Sequence, residues 1–175
     1  MKQILLLFLF LIFCTGYHSE KYSVNNLEKI FAQSLPQNKG IIYTKVPRGL
    51  VISFNEHIFF NENETKIKEN SLYILNIIAN ILKQLPNQCI IEDHIREQNF
   101  NNLENWEVSM TRASSISEYL IKYEKVPQEQ LFDIGFGNMM PFYDNVAPLE
   151  NNATGFASSM DNRVDFVIIE YEAKR

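Results

Sequence analysis

The chain has 175 residues with 46 % hydrophobic and 13 % aromatic content, which is enough to bury one core and excludes wholesale disorder. Its 16 basic and 21 acidic residues leave a formal charge of −5 with no basic block, so nucleic-acid binding has no electrostatic support. The same acidic balance argues against a general affinity for anionic membranes.

Lys2 precedes an unbroken apolar run over residues 4–14. A spanning helix needs roughly 20 apolar residues, so this run reads instead as the core of a signal peptide over residues 1–16. Cys14 and Gly16 supply the small residues that cleavage after Gly16 requires. Cys14 also offers a second outcome, lipidation as in lipoproteins, against which the bulky Phe13 counts. An uncleaved anchor and a buried helix are weaker readings of the same segment. With the leader removed, Cys89 is the one cysteine left, and no intramolecular disulfide can form. It sits in the apolar Cys89-Ile90-Ile91 and reads as a small core residue.

Residues 17–48 read as a polar linker holding a short helix and a first strand. Leu27, Ile30 and Phe31 have helical spacing, and residues 36–40 end that helix. Residues 41–45 and 50–54 are two β-rich runs across Pro47-Arg48-Gly49, which predicts a hairpin. The folded domain is expected over residues 49–171, with a charged tail at 172–175. The clearest helix is expected over residues 66–85, where Ile67, Leu75, Ile78, Leu82 and Leu85 recur at helical spacing and Pro86 stops it. Residues 89–94 predict a strand, and 97–104 a polar loop. A second helix is expected from Asn105, as N-cap, to about Tyr123, with Val108, Ile116 and Leu120 on its apolar stripe. Residues 131–136 predict a third strand between glycines. Residues 138–161 form a long loop, of the kind that is often functional. Residues 164–171 close the chain as a strand. Crossovers through helices make strands parallel. The expected class is therefore α+β: a two-layer sandwich with a mixed sheet and two main helices on one face.

Several stretches carry a family resemblance. Residues 49–54 read Gly-Leu-Val-Ile-Ser-Phe. Phe59-Phe60-Asn61 leads toward the first helix. Residues 105–113 read Asn-Trp-Glu-Val-Ser-Met-Thr-Arg-Ala, and residues 135–141 read Gly-Phe-Gly-Asn-Met-Met-Pro. Residues 161–164 read Asp-Asn-Arg-Val. In their order and spacing these stretches resemble the OmpA C-terminal family, which includes Pal lipoproteins and MotB; Trp106-Glu107 is particularly MotB-like. The resemblance implies a non-enzymatic protein of the periplasm or cell envelope, with outer-membrane association as one variant. Its implied partner is the peptide stem of peptidoglycan, and it anchors or spaces the cell wall without a cofactor.

In that family an Asp and an Arg hold the ammonium and carboxylate of a diaminopimelate residue. A zwitterion needs one group of each charge, and Arg grips a carboxylate as a bidentate fork. Arg112 matches the Arg. It lies four residues from both Val108 and Ile116 on the apolar stripe, so it must meet either a ligand carboxylate or an internal acid, for example near Glu92 or Asp93. Asn105, Ser109 and Arg112 share a helix face. The resemblance adds Asn63 and Arg163 as contacts. The Asp position is filled by Arg96, which would repel an ammonium; Asp93 or Glu97 is left to supply the missing carboxylate. Asn61 and Asn162 are further departures. No metal site is expected, because His18, His57 and His94 lack ligand spacing, and Glu92-Asp93-His94, which could recruit a cation, has alternate strand residues pointing to opposite faces. The alternative function is a degenerate domain serving as an envelope protein–protein interaction module or a structural part of the flagellar motor. Stem identity and oligomeric state stay open.

Overall fold

The computed structural model describes residues 23–37, 40–62, 64–96, 104–140, 142 and 160–170. The expected signal segment with Cys14, and the tail at 172–175, lie outside these residues.

Helix α1 spans Val24–Ser34. Strands β1 (Ile41–Val46) and β2 (Gly49–Asn55) follow as the expected hairpin, antiparallel from Ile41↔Phe54 to Val46↔Gly49. A 3-10 turn at Glu56–Ile58 and another at Glu69–Ser71 lead into α2 (Leu72–Leu82). Then come β3 (Cys89–His94), α3 (Asn105–Lys122), β4 (Leu131–Gly137) and β5 (Arg163–Ile169). The sheet order is β1-β2-β5-β3-β4. β3 and β4 are parallel, and β5 runs antiparallel between β2 and β3. The expected mixed-sheet sandwich is therefore the architecture observed.

Alternation sets the two faces of the sheet. Leu50, Ile52 and Phe54 of β2, Cys89 and Ile91 of β3, and Val164, Phe166 and Ile168 of β5 are buried in one core with the helices. Phe54 packs edge-on against Phe59 and Phe166, with centroids 5.2 and 5.5 Å away. Burying each such ring contributes about 2–3 kcal/mol. The opposite face carries Arg163 and Asp165 on β5, and Glu92 and His94 on β3.

Three expected boundaries move. Residues 17–48 are not simply linker, because α1 buries Leu27 and Phe31 completely in the main core. The folded unit thus takes in α1 and β1 ahead of Gly49. The helix expected from residue 66 begins at Leu72. Ile67 instead bridges to Phe60 as an isolated β-pair, and extended Lys68 interrupts any helix there. The α3 N-cap is Glu104 rather than Asn105: the Glu107 side chain accepts from the Glu104 N–H at 3.1 Å in a capping box.

α3 lies hard against β4. A Cβ added at Gly135 would stand 2.2 Å from the Met110 nitrogen, and Gly137 has φ +54° beside Trp106. Ser114 and Ser117 donate to the Asp133 carboxylate of β4 at 2.7 and 3.0 Å. Among the described residues, no helix is long and apolar enough to cross a membrane.

Candidate functional site

Two buried polar clusters flank the sheet. The first surrounds Arg112, which α3 carries inward to full burial. Its Nη1 meets Glu56 Oε2 at 2.6 Å. Its Nε donates to the Glu64 carbonyl at 2.8 Å, and Nη2 reaches the Asn61 carbonyl at 3.4 Å. The guanidinium lies over the Phe60 ring, 4.9 Å from its centroid. Glu56, also buried, accepts from Asn162 Nδ2 at 3.0 Å through its other oxygen. Asn162 Oδ1 in turn accepts from the Arg96 backbone N–H at 2.6 Å. The cluster therefore ties the turn after β2, the middle of α3 and the turn into β5 into one unit.

The internal acid for Arg112 is thus Glu56, not an acid at 92 or 93. Sequence reading missed it because Glu56 sits in a short polar turn with no periodicity, 56 positions from its partner. Asp93 is fully buried, and among the described residues neither of its oxygens has a hydrogen-bond partner. Burial pushes its pKa well up. Arg112 pulls it down, Glu56 and Asp165 push it up, and Arg163 pulls it down, with the upward effect winning. Asp93 is enclosed on the helix side of the sheet, and its surroundings disfavour the charged carboxylate that an ammonium would need. Asn63 and Glu97 lie outside the described residues. Arg96 is exposed. Asn105 is half-buried in the first turn of α3 with its Oδ1 enclosed. Ser109 accepts from the Gly137 N–H at 2.9 Å, a structural tie between α3 and β4.

Arg163 belongs to the second cluster, on the opposite face, and does not join Arg112. Its Nε donates to Asp165 Oδ2 at 3.0 Å, and its Nη1 and Nη2 both reach the Met140 carbonyl at 3.3 Å. Arg48 pairs with Glu92 at 3.0 Å. His94 stacks on Phe136 at 4.8 Å. Its Nε2 stands 3.4 Å from Asp165 Oδ2 and 3.8 Å from Glu92 Oε2. Burial alone would raise the Asp165 pKa. The polar contact with His94, the Arg163 charge and the Ser53 hydroxyl more than offset it, and Asp165 stays ionised below the usual range. These groups line a pocket of about 300 Å3.

The family model described as "OmpA family" matches residues 59–155. The chain belongs to the OmpA family. This OmpA-family chain is 30 % identical over 124 residues to Uncharacterized protein YtxE of Bacillus subtilis, covering 69 % of the chain and 48 % of that protein. It is 26 % identical over 125 residues to Motility protein B of the same organism, covering 69 % and 45 %. The chain therefore spans about half the length of these curated relatives. The structure of the cell wall anchor of the T6SS from Pseudomonas aeruginosa superposes with a TM-score of 0.66 at 16 % identity, covering 83 % of this chain and 97 % of that one. At that identity the likeness speaks to the fold alone. No catalytic family is indicated.

Proposed function

We propose that this OmpA-family domain is a non-catalytic cell-envelope module that binds peptidoglycan peptide stems and so anchors or spaces the wall. The observation that carries the reading is Arg112, set at the family's position on α3 and cradled by the Asn61 and Glu64 carbonyls. The cell wall anchor that shares the fold, and Motility protein B among the relatives, support an envelope role. Stems approach the rim formed by Arg96, Asn162 and Asn105, above the enclosed Glu56–Arg112 pair. Arg96 stands where an ammonium partner would be acidic, so the domain holds diaminopimelate stems weakly.

The test is co-sedimentation with purified sacculi. Wild-type protein pellets with the wall at moderate salt. Arg96→Asp, an exposed position that spares the core, raises retention on diaminopimelate wall about ten-fold. Failure of both proteins to pellet overturns wall binding.

A second reading has its own observation. Glu56 already occupies Arg112, and Trp106, Met110 and Met139 are exposed, Trp106 by 56 %. This favours an envelope protein–protein module, within the flagellar motor or apart from it. Under that reading Trp106→Ala abolishes capture by an envelope partner while sacculi are ignored by every variant.

A further inference from the structure

The second cluster is chemically unfinished. Glu92 and His94 alternate on β3 and so share the face away from the helices, and β5 sets Asp165 directly opposite Glu92. All three side chains are more than nine-tenths buried. Among the described residues, both imidazole nitrogens of His94 and Asp165 Oδ1 lack a hydrogen-bond partner, while Glu92 Oε1 meets only the half-exposed Arg48. Leaving such groups unmet costs about 1–3 kcal/mol each. One ligand atom from each of the three residues falls within 4.8 Å of the others.

The distances have a specific meaning. The Nε2 separations of 3.4 and 3.8 Å are long for hydrogen bonds. They match the spacing of atoms that share a small cation. Ligands about 2.0–2.2 Å from a tetrahedral zinc stand roughly 3.4 Å apart. The stack on Phe136 fixes the imidazole plane with Nε2 toward both carboxylates. We propose that Glu92, His94 and Asp165 form a site for one first-row divalent cation, zinc by its mixed nitrogen and oxygen donors, with the open coordination position facing the pocket.

Two arginines bear on the charge balance, and they are not equivalent. Arg163 is buried, spends its Nη atoms on backbone carbonyls and holds through Nε the same Asp165 Oδ2 that stands 3.4 Å from His94, so a cation shares that oxygen with Arg163 or takes the unbonded Oδ1 of the same carboxylate. Arg48 is half-exposed and holds Glu92 from the rim. A cation therefore displaces Arg48, which moves into solvent, and shares Asp165 with Arg163. Arg48 is a competitor for the site, and that sets the sign of its substitution.

The experiment uses the full chain, stripped with chelator. It is titrated with zinc chloride by calorimetry and with cobalt chloride by visible absorption. One zinc binds per chain at micromolar concentration or tighter, and saturation raises Tm by roughly 5 °C. His94→Gln weakens zinc at least ten-fold. Arg48→Ala tightens it about three-fold by removing the competing charge. Absence of saturable binding overturns the site. So does wild-type affinity in His94→Gln, or binding that is unchanged or weaker in Arg48→Ala. If His94→Gln fails to fold, the imidazole NMR signals of His94 in the wild type decide: they shift with zinc, or the site falls.

Discussion

The clusters on the two sides of the sheet use the same ingredients and end differently. Glu56 and Arg112 meet at 2.6 Å, with 3.0 Å to Asn162, and the enclosed Asp93 beside them is the exception. Around Glu92, His94 and Asp165, the same degree of burial leaves both imidazole nitrogens and Asp165 Oδ1 unmet among the described residues and opens onto a pocket. The difference teaches that burial of charge does not by itself mark a binding site. A guanidinium whose forks are spent on its own chain is scaffold that shapes its rim, while an incomplete donor set beside a cavity can take a guest.

The largest test of this contrast is Arg112→Ala. It strands Glu56 in the interior and should cost about 3–5 kcal/mol, read by urea unfolding. Adding Glu56→Leu to an Arg112→Leu background should return most of that loss, because an ion pair replaced by apolar groups of similar shape is close to neutral. A double variant as unstable as Arg112→Ala would show that the pair does more than satisfy itself.

Gly135→Ala sharpens the contrast by moving one cluster only. The new methyl collides with the Met110 backbone, so α3 must lift from β4. The expected loss is about 3 kcal/mol by thermal unfolding. Arg112 shifts with its helix, whereas zinc affinity on the other face stays within about two-fold of wild type.

Asp93 is next. Its folded-state pKa lies above its unfolded value, so the folded chain keeps a proton that the unfolded chain releases. Its contribution is complete at acid pH and falls as pH rises above the ordinary carboxylate range. Asp93→Asn should therefore raise Tm at neutral pH by roughly 3 °C and leave it nearly unchanged near pH 4, by calorimetry. An equal gain at both values would assign the effect to packing.

The smallest effect is a null one. Cys89 is enclosed, and burial followed by the Glu92 charge pushes its thiol pKa strongly up. Native protein treated with iodoacetamide should show no label on the Cys89 peptide by mass spectrometry, and urea should expose it.

Most of the fold was legible because it rests on local patterns. A compact run with β-branched residues placed β3 at residues 89–94, and helical spacing placed α2 and α3. The role of α1 was not legible, since Leu27 and Phe31 stand among polar neighbours and only the core they enter reveals their weight. Of the candidate site, Arg112 could be found because a charge on an apolar stripe demands a partner. Glu56 could not, because nothing in a polar turn announces which acid turns inward. Alternation told against Glu92-Asp93-His94 as a whole, although it leaves Glu92 and His94 on one face of β3, and Asp165 joins them only through the insertion of β5 beside β3.

That insertion has a consequence for assembly. β5 follows the other four strands in chain order, yet lies at the middle of the sheet. Until it arrives, the β1-β2 hairpin and the β3-β4 pair have no hydrogen-bonded neighbour in common. The contact between Glu56 and Asn162 closes a loop of 106 positions. A nascent chain therefore cannot lock its sheet before residues 163–169 emerge, and folding must wait on a long-range search. The domain is built to stay open during synthesis and to snap shut late.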